Sequence, residues 1–580
     1  MANLSQQRRE KMLAFLETLK EQHTDDDSLI ALGEIEKELK SKKYGLVWEE
    51  HEEAVDVQMK TQIPVFTEVK EREICADENG AYNFLLEGDN LHSLYLLEKT
   101  HKGKIDVIYI DPPYNTGGRD FIYDDKYVNS EDSFRHSKWI SFMERRLRIA
   151  QKLLTNKGVI FISIDDNELY QLKMLCDDIF GADNFIANLI WAAGRKNDSK
   201  YISISHEYML CYAKSLPFLK ENKIVWKERK QGIEDIYKEA ARLKKKYGTD
   251  YNTMSTELKK WYKNLPVNHP ARNHSHYNCI DEVGIYFPSD ISWPGGGGPK
   301  YEVLHPVTKK PVRVPNRGWV YPTKERMEEV IAQNLVHFGK DETSVPCKKT
   351  YLFNNESSTP YSVFYKDGRA STKRLRALLG DNLFQNPKDE EIIRNILSFT
   401  SSQDSIILDF FAGSGTTAQA VLELNKQDGG HRKFILCTNN ENGICEEVTN
   451  QRLKIVITGK RADGSEYSEG IPANLKYFKT DFVDKDSEEL SDELLEHIAE
   501  MIELEHGIKV DNKKYVMILT DEEMDEFERN ITSYTDLKAV FVNQDILLSS
   551  TQQKLLDSLS SYVIPDYYFD FELREAGELW

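Results

Sequence analysis

The sequence predicts an α/β protein built on a mostly parallel sheet. Apolar, β-branched runs at 105–110 and 158–164 have the composition of strands that are buried on both faces. A helical pattern around 137–154 separates the two runs, as the connection between parallel strands requires. The alternation of strand and helix stops near 216 and resumes after 375. We therefore expect one sheet that is interrupted by an insertion.

The remaining elements follow from the same two periodicities. Strands are predicted at 83–87, 205–214, 405–409 and 433–437, and helices at 91–100 and 384–398. Asp165 and Asp166 are expected to cap the start of a helix rather than to act chemically. Short apolar runs at 515–519 and 539–542 predict a small C-terminal α/β arrangement.

A chain of 580 residues is too long for one core, so several domains are expected. Shifts in composition divide the chain into five segments. These are an N-terminal helical segment (1–60), the first half of the α/β domain (61–215), an insertion rich in aromatic residues, proline and glycine (216–375), the second half of the α/β domain (376–480) and a C-terminal domain (481–580).

The net charge of −20, taken alone, argues against a nucleic-acid-binding protein. The charge is unevenly spread, because 481–506 carries eleven acids and one lysine, whereas 309–324 is basic and contains no acid. At physiological salt the Debye length is about 8 Å. A distant acidic segment barely screens a local basic groove, so nucleic-acid binding stays open.

Seven cysteines without a Cys-x-x-Cys pair indicate reduced thiols rather than disulfides or a zinc site. His269, His274 and His276 near Cys279 match no zinc-finger spacing, so we expect loop or DNA-contact residues there and no metal. No apolar run of about 18 residues occurs, and no membrane span is expected. The N-terminus is polar and unlike a signal peptide, which favours a cytoplasmic protein.

The loop 111–114, Asp-Pro-Pro-Tyr, directly follows the predicted strand at 105–110. Open α/β sheets bind their ligands at the carboxyl ends of the strands. Pro112 and Pro113 have no backbone N–H, so the loop cannot continue the strand's hydrogen bonding. It offers a carboxylate, a bare carbonyl and the ring of Tyr114, a set that suits the exocyclic amine of a flat base. A purely structural turn is the alternative.

The segment 409–417, Asp-Phe-Phe-Ala-Gly-Ser-Gly-Thr-Thr, ends a predicted strand and begins a helix. Gly413 and Gly415 allow the backbone to approach a ligand, and the N–H groups of the new helix face that ligand. Asp409 is unfavourable beside a pyrophosphate and favours a cationic or zwitterionic ligand. Glu441 follows the next strand, where an acid is placed to hold ribose hydroxyls. A strand–helix turn without a ligand is the alternative.

The two loops together resemble the S-adenosylmethionine-dependent amino-methyltransferases of DNA. The Asp-Pro-Pro-Tyr loop precedes the insertion and the glycine loop follows it, an order that resembles the β class, in which the Rossmann-like methyltransferase sheet is circularly permuted. More specifically, the chain is similar to the modification (Mod) subunits of type III restriction–modification systems over about 40–460. The matching pieces are 83–94, 111–117, 159–166, 206–214, 384–388, 409–417 and Glu441.

The resemblance implies a division of roles between the loops. Asp111 and the Pro112 carbonyl would accept hydrogens from the target amine, and Tyr114 would stack on a base extruded from the duplex. The catalytic residues that it implies are Asp111, Pro112, Pro113 and Tyr114.

S-adenosylmethionine is the cofactor that the resemblance implies. The cofactor-binding residues would be Asp89, Phe384, Asn386, Lys388, Asp409, Phe410, Ala412, Gly413, Ser414, Gly415, Thr416, Thr417 and Glu441. Lys388 would meet the methionine carboxylate, Asp89 the adenine edge and Glu441 the ribose. Two alternatives stay open, because Asp89 could simply cap the helix after it and Asn440 could replace Glu441.

The implied function is site-specific methylation of adenine N6 in double-stranded DNA. The insertion would be the target-recognition domain, with 293–300 and 317–319 supplying aromatic and basic contacts. The implied partners are double-stranded DNA, a second copy of the chain as a homodimer, and a separate restriction subunit. Cytosine-N4 methylation by the same fold, and a subunit that mainly specifies DNA for a restriction partner, remain as alternatives.

Overall fold

The structure is a computed structural model of the chain. It describes residues 4–23, 25–40, 48, 51–117, 122–123, 126–127, 131–192, 200–267, 269–381, 383–564, 568–569 and 572–574. Parts of the predicted segments 1–60 and 481–580 lie outside the described residues.

Helices and strands alternate along most of the chain. The helices are α1 (Leu4–Gln22), α2 (Asp26–Lys40), α3 (Ala54–Thr61), α4 (Asn90–His101), α5 (Arg135–Leu153), α6 (Leu169–Cys176), α7 (Leu216–Glu221), α8 (Ile233–Tyr247), α9 (Tyr251–Asn264), α10 (Lys324–Ala332), α11 (Arg369–Leu379), α12 (Glu390–Thr400), α13 (Thr416–Asp428), α14 (Asn450–Thr458), α15 (Leu490–Leu495), α16 (Ile498–His506), α17 (Asp521–Asn530) and α18 (Ser550–Asp557). The strands are β1 (Gln62–Glu68), β2 (Tyr82–Glu87), β3 (Ile105–Ile110), β4 (Ile122–Tyr123), β5 (Lys126–Tyr127), β6 (Leu154–Ile164), β7 (Phe185–Ala192), β8 (His206–Ala213), β9 (Glu228–Arg229), β10 (Cys279–Ile280), β11 (Ile285–Ser289), β12 (Val336–His337), β13 (Cys347–Tyr351), β14 (Ser357–Ser358), β15 (Val363–Tyr365), β16 (Ile406–Asp409), β17 (Lys433–Thr438), β18 (Asn474–Asp484), β19 (Tyr515–Ile518), β20 (Ala539–Asn543) and β21 (Ser561–Ile564).

A ten-stranded sheet forms the centre of one compact unit, in the order β1-β18-β2-β17-β16-β3-β6-β8-β7-β15. Its middle strands from β18 to β6 run parallel, whereas β1 and β8 run antiparallel to their neighbours. The predicted fold class, an α/β protein with a mostly parallel sheet, is confirmed. The order along the sheet differs from the order along the chain, because β16 and β17 come late in the chain yet lie between β2 and β3.

The parallel strands end together at one edge of this sheet. Leu408 of β16 lies opposite Ile108 of β3, so Asp409 and Asp111 follow at nearly the same level. Thr438 of β17 lies opposite Glu87 of β2. The loops that follow β2, β3, β16 and β17 therefore meet at this edge, where open α/β sheets bind ligands.

The helix that was predicted at 384–398 begins later than expected. Residues 384–389 form a loop, and α12 starts at Glu390. The side chain of Asp389 accepts a hydrogen bond from the backbone N–H of Glu391 at 2.9 Å, which caps the helix at its first turn. The prediction was wrong because an apolar periodicity does not by itself locate a cap.

Asp165 and Asp166 do not cap α6, contrary to the prediction. The helix begins three residues later, at Leu169. An Asp165 carboxylate oxygen accepts a hydrogen bond from the backbone N–H of Asn167 at 2.9 Å, which closes a turn within the loop. Asp89, by contrast, does cap α4, since it accepts from the Leu91 N–H at 2.7 Å.

Residues 225–360 form a second compact unit, and the first comprises 1–224 and 361–580. The predicted insertion, 216–375, differs from this division at both ends. At its later end, 363–365 pairs as β15 with β7 and so belongs with the large sheet. The second unit has a four-stranded antiparallel sheet in the order β10-β11-β13-β12, with α8 and α9 packed over part of it.

Two of the residues expected to contact DNA have structural roles within the second unit. Trp319 is fully buried in a core cluster with Val303 and Met327. Arg317 forms an ion pair with Asp290. The aromatic ring at 319 is therefore part of the fold, whatever the surrounding loop binds.

The C-terminal segment contains a separate three-stranded parallel sheet, β19-β20-β21, and belongs to the same compact unit as the large sheet. Two predicted runs, 515–519 and 539–542, correspond to β19 and β20. No helix among the described residues is long and apolar enough to span a membrane.

A buried lysine fixes the edge of the large sheet. The ammonium of Lys476 in β18 lies 2.6 Å from a carboxylate oxygen of Glu68 in β1 and 2.6 Å from one of Glu503 in α16. Its side chain is 0% exposed. A buried charge of this kind is tolerated only while its partners remain in place.

The substitution Lys476→Met should therefore destabilise the first unit by about 3–5 kcal/mol, because it leaves two buried carboxylates without a cation. A lower urea midpoint in chemical denaturation would show this effect. Lys479→Met on the same strand is the matched control: its side chain is 56% exposed and pairs with Glu87, so it should cost less than about 1 kcal/mol. Equal effects of the two substitutions would contradict this assignment.

Candidate functional site

The loop after β3 is held from both sides. The indole N–H of Trp139 in α5 donates to the Pro113 carbonyl at 2.7 Å. Asn115 adopts a φ of 56°, a left-handed conformation that asparagine tolerates better than most residues. These two restraints fix the loop 111–114, so its carboxylate and ring are positioned before any ligand arrives.

The amide of Asn115 is anchored by a buried carboxyl group. Its Nδ2 donates to Glu168 Oε1 at 2.6 Å, and the same oxygen lies 2.6 Å from Nδ1 of His136. Burial raises the pKa of Glu168 to about 8, and burial lowers the pKa of His136. The loop conformation therefore depends on a titratable pair, Glu168 and His136, that lies outside the loop itself.

Lys388 joins the loop after β3 to the segment that precedes α12. Its Nζ donates to the Tyr114 hydroxyl and to Glu207 Oε2, both at 2.5 Å, and lies 3.3 Å from Asp111 Oδ1. The ammonium is 4.8 Å from the centre of the Tyr114 ring and 5.6 Å from that of Trp191. One cation thus contacts two carboxylates and two aromatic rings.

The charges of this cluster support one another. Burial raises the pKa of Asp111, and the ammonium of Lys388 opposes that rise. Burial acts to lower the pKa of Lys388, but Asp111 and Glu207 outweigh it and the pKa is raised. Lys388 therefore stays charged. Asp111 Oδ1 is buried, and the ammonium of Lys388 at 3.3 Å is its counter-charge.

Asp409 ends β16 and organises the glycine loop. It accepts hydrogen bonds from the Phe411 N–H at 3.0 Å and from the Thr417 hydroxyl at 2.5 Å. Burial raises the pKa of Asp409 to about 7, although both hydrogen bonds oppose that rise, and the charge of Asp111 adds to it. The two aspartates at neighbouring strand ends therefore interact electrostatically.

The glycine loop turns into α13 through two left-handed residues. Gly413 and Gly415 have φ values of 49° and 73°, which other residues rarely adopt. Arg452 holds the turn from behind, because its NH1 donates to the Ser414 carbonyl at 3.2 Å and to the Thr416 hydroxyl at 2.8 Å. Burial lowers the pKa of Arg452 to about 10, so the guanidinium remains charged.

Several of the expected cofactor-binding side chains are used by the fold. The Phe410 ring is fully buried, and its carbonyl accepts from Asn90 Nδ2 at 2.7 Å. Ala412, Ser414, Thr416 and Thr417 are buried as well. These side chains therefore contribute to the packing of the loop.

The segment 384–388 reaches both loops. A Cβ built on Gly413 would lie 3.4 Å from the Phe384 ring, so that ring covers the glycine turn. Asn386 is exposed with a φ of 53°, and Lys388 reaches Asp111. The expected place for Lys388 was the methionine carboxylate, whereas the structure places it at the loop after β3.

The remaining two acids lie after other strands of the same edge. Asp89 follows β2 and, besides capping α4, lies 3.2 Å from NH2 of Arg146. Glu441 follows β17 and is exposed, whereas Oδ1 of its neighbour Asn440 accepts from the Glu446 N–H at 3.2 Å. The amide of Asn440 thus takes part in the structure of the loop.

Sequence reasoning missed the supporting residues. Glu207, Glu168, Arg146 and Arg452 were not singled out, although each contacts one of the two loops or the residues that hold them. Arg146 is fully buried and bonds Glu53 at 2.8 Å, Asp89 and Asn90. A charged residue within an apolar helical pattern was the available signal for Arg146. Nothing in the local sequence pointed to Arg452.

This arrangement suits one kind of chemistry. The acids Asp89, Asp409 and Glu441 line three neighbouring strand ends and would repel a pyrophosphate. They suit a ligand that carries hydroxyl groups and a positive charge. The adjoining loop carries a carboxylate, the Pro112 carbonyl and an aromatic ring, a set that suits a second, flat ligand. No group of three or more His, Cys, Asp or Glu residues suited to a metal occurs in the described part of the chain.

Comparison with known proteins agrees with this geometry. Residues 105–451 match a family model described as DNA methylase. The StyLTI Mod subunit, of a type III restriction-modification enzyme from Salmonella typhimurium, is 34% identical over 63% of this chain and 54% of its own length. The type II methyltransferase M.KpnI from Klebsiella pneumoniae is 33% identical over 61% of this chain and 79% of its own length.

The chain thus spans little more than half the length of the Mod subunit. Among solved structures, the cytosine-N4-specific PvuII DNA methyltransferase is similar with a TM-score of 0.31 and 10% identity. That similarity covers 62% of this chain and 83% of the other.

The raised pKa of Glu168 predicts an effect of pH on the stability of the fold. The folded-state pKa of Glu168, about 8, lies above the ordinary value of 4.5. Between pH 4.5 and about 8 the folded state keeps Glu168 protonated, whereas the unfolded state has lost that proton. The stability of the folded state therefore falls as the pH rises through this range. Glu168→Gln removes that loss. Its stability relative to wild type should improve by on the order of 1 kcal/mol per pH unit from about 5 to 8.

Thermal or urea unfolding across this range measures the difference. Glu221→Gln serves as the control, because that side chain is exposed at the end of α7. Its difference from wild type should stay constant with pH. A Glu168→Gln difference that is equally flat would contradict the raised pKa.

Proposed function

The chain belongs to the DNA methylase family whose model it matches over 105–451, and we propose that it transfers a methyl group from S-adenosylmethionine to N6 of adenine in double-stranded DNA. The observation that carries the proposal is the meeting of two loops at one sheet edge. The Asp111 loop and the Asp409 loop follow adjacent parallel strands, and the segment 384–388 contacts both.

The residues present fit the donor. Asp409 and the turn through Gly413 and Gly415 would hold its methionine part, with Phe384 over the turn. Glu441 would take the ribose hydroxyls and Asp89 the adenine edge. When bound, S-adenosylmethionine supplies a methyl group that its sulfonium makes electrophilic. The acids of this edge tolerate a positive charge, which supports a sulfonium rather than a phosphate ligand.

The loop after β3 would prepare the amine. An exocyclic amine is a poor nucleophile because its lone pair is delocalised into the ring. Asp111 would accept one amine hydrogen and the Pro112 carbonyl the other, which frees the lone pair for attack. Tyr114 would stack on the extruded base, and stacking is worth about 1–3 kcal/mol per base. Pro113, whose own carbonyl is bonded by Trp139, would hold the Pro112 carbonyl and the Tyr114 ring in fixed positions relative to each other.

The same loop would also receive the proton that is lost. An amine that has gained a methyl group must give up one hydrogen to become neutral. Asp111 would already accept that hydrogen, and burial raises the pKa of Asp111, which makes it a better proton acceptor than an exposed aspartate. Positioning and electrostatics then account for the acceleration, and the protein forms no covalent intermediate.

Lys388 would have to move before the base enters. Its ammonium now contacts Asp111, Tyr114 and Glu207, the groups that face the amine. A base stacked on Tyr114 would displace it, and Glu207 would remain as its partner. We therefore assign Lys388 to the side of the amine and not to the methionine carboxylate.

The wider assembly is part of the same proposal. Similarity to a type III Mod subunit supports a modification and recognition subunit that works with double-stranded DNA, a separate restriction subunit and a second copy of itself. Similarity to M.KpnI, which the chain covers over 79% of its length, supports a methyltransferase that acts without a restriction subunit. Copurification with a co-expressed restriction subunit would separate the two.

Asp111→Asn should lower the rate of methyl transfer by about 10²–10³-fold, because it replaces a charged hydrogen-bond acceptor of the amine. Incorporation of labelled methyl groups into DNA measures the rate, and calorimetry should find the binding of S-adenosylmethionine nearly unchanged. Asp106→Asn is the matched control. Asp106 lies in the same strand at its other end, where it accepts from the Ile406 N–H at 3.1 Å. Full activity of Asp111→Asn would refute the loop's role.

Lys388→Met should make methyl transfer more sensitive to low pH. Without the ammonium, Glu207 and burial raise the pKa of Asp111 further, and a protonated Asp111 cannot accept an amine hydrogen. The rate should fall about tenfold for each unit by which the assay pH lies below that pKa.

Two comparisons make this test decisive. Lys388→Arg keeps the charge and should retain a pH profile close to that of wild type. The affinity of Lys388→Met for S-adenosylmethionine should change little. A large loss of that affinity with an unaltered pH profile would instead place Lys388 at the methionine carboxylate.

A further inference from the structure

A basic cleft opens on the first unit between α11 and the turn that follows α14. Its volume is about 540 Å³, and Lys373, Arg376 and Arg461 line it together with Asp463. Three cations therefore face one carboxylate, on a chain whose net charge is −20. A local excess of positive charge on an acidic chain is a candidate binding surface for an anion.

The cations of α11 lie on one exposed face. Arg369, Lys373 and Arg376 follow one another at i, i+4 and i+7, a spacing that aligns side chains along a helix. All three are exposed, whereas Leu375 and Leu378 of the same helix are buried. None of the three pairs with a carboxylate among the described residues. The fold therefore does not use these charges.

The opposite wall of the cleft is fixed in place. Arg461 donates through NH2 to the Ala377 carbonyl at 3.0 Å and through NH1 to the Ser465 hydroxyl at 3.3 Å. Asp463, the acid of the cleft, accepts from the Ser465 N–H at 2.9 Å within its own turn. The turn after α14 is thus bonded to α11, and the acid is engaged locally.

The helix α11 also connects this face to the candidate site. Its Ser371 hydroxyl donates to the Pro387 carbonyl at 2.8 Å, and its Arg374 lies 2.9 Å from Asp389. Pro387 and Asp389 flank Lys388, which contacts Asp111. Ser371 is buried on the side of the helix away from Arg369 and Lys373. A polyanion bound on the exposed face would therefore lie one helix diameter, roughly 10 Å, from the segment that carries Lys388.

We infer that this face of α11, together with Arg461, binds the sugar-phosphate backbone of double-stranded DNA beside the extruded base. Arg369, Lys373 and Arg376 span about 10 Å of the α11 axis, a length over which a DNA duplex carries about six phosphate charges. Long, exposed and unpaired cations suit phosphates in a row rather than one small anion. Such contacts position the duplex without reading its sequence. The inference rests on the proposed function.

The test is the salt dependence of DNA binding by the full chain. The probe is a labelled duplex of mixed sequence, titrated by fluorescence anisotropy between about 50 and about 200 mM salt. The variant is Lys373→Ala with Arg376→Ala. The control is Lys102→Ala with Lys104→Ala, which removes the same charge at the amino end of β3, the opposite edge of the sheet.

The variant should bind about tenfold more weakly at the lower salt concentration, and the slope of log K against log salt should become shallower by about 1.8, or 0.9 per phosphate contact. The control should match wild type in both. Retained binding of S-adenosylmethionine by the variant shows that the fold is intact.

A variant with the affinity and slope of wild type would overturn the inference and leave the proposed function standing. The inference would also be overturned if the variant lost affinity only for an RNA duplex or only for a restriction subunit. A wild-type chain that binds no duplex would contradict the proposed function itself, and the inference with it.

Discussion

The convergence of parallel strands at one edge of the sheet is the constraint on which the rest of this structure depends. Because β2, β17, β16 and β3 run in the same direction, the residues that follow them meet although they are far apart in the chain. Asp111 and Asp409 are separated by about three hundred residues and still interact electrostatically. The pairing of β16 with β3 brings the two loops together, although the second unit lies between them in the chain.

Buried polar and charged groups then fix the loops with little freedom. Arg146 bonds the residues before α3 and at the start of α4, Arg452 holds the glycine turn, and Glu168 anchors the loop after β3. Lys388 is the exception, since its contacts are with the groups that would face a ligand. A rigid frame around one displaceable cation is a reasonable arrangement for a site that must admit an extruded base.

The sequence predicted the sheet and both loops, because strand periodicity, proline and glycine act locally. It did not predict what depends on distant partners. The cofactor role expected for Lys388 stays a prediction, but its contact with Asp111 was not foreseen, because it joins residues 277 positions apart and leaves no signal in the local sequence. The predicted start of α12 was wrong, because the cap formed by Asp389, and not the apolar pattern, determines where the helix begins. Likewise β15, only three residues long, joins the large sheet by pairing with a remote strand, which shifts the apparent end of the insertion.

The central claim is that the two loops act together on an amino group of a DNA base. Its most direct test is nucleoside analysis by mass spectrometry of DNA incubated with the chain and isotopically labelled S-adenosylmethionine. The account predicts label in N6-methyldeoxyadenosine. Label in N4-methyldeoxycytidine would support the role of the two loops but contradict adenine as the base. DNA without any labelled nucleoside would contradict the account as a whole.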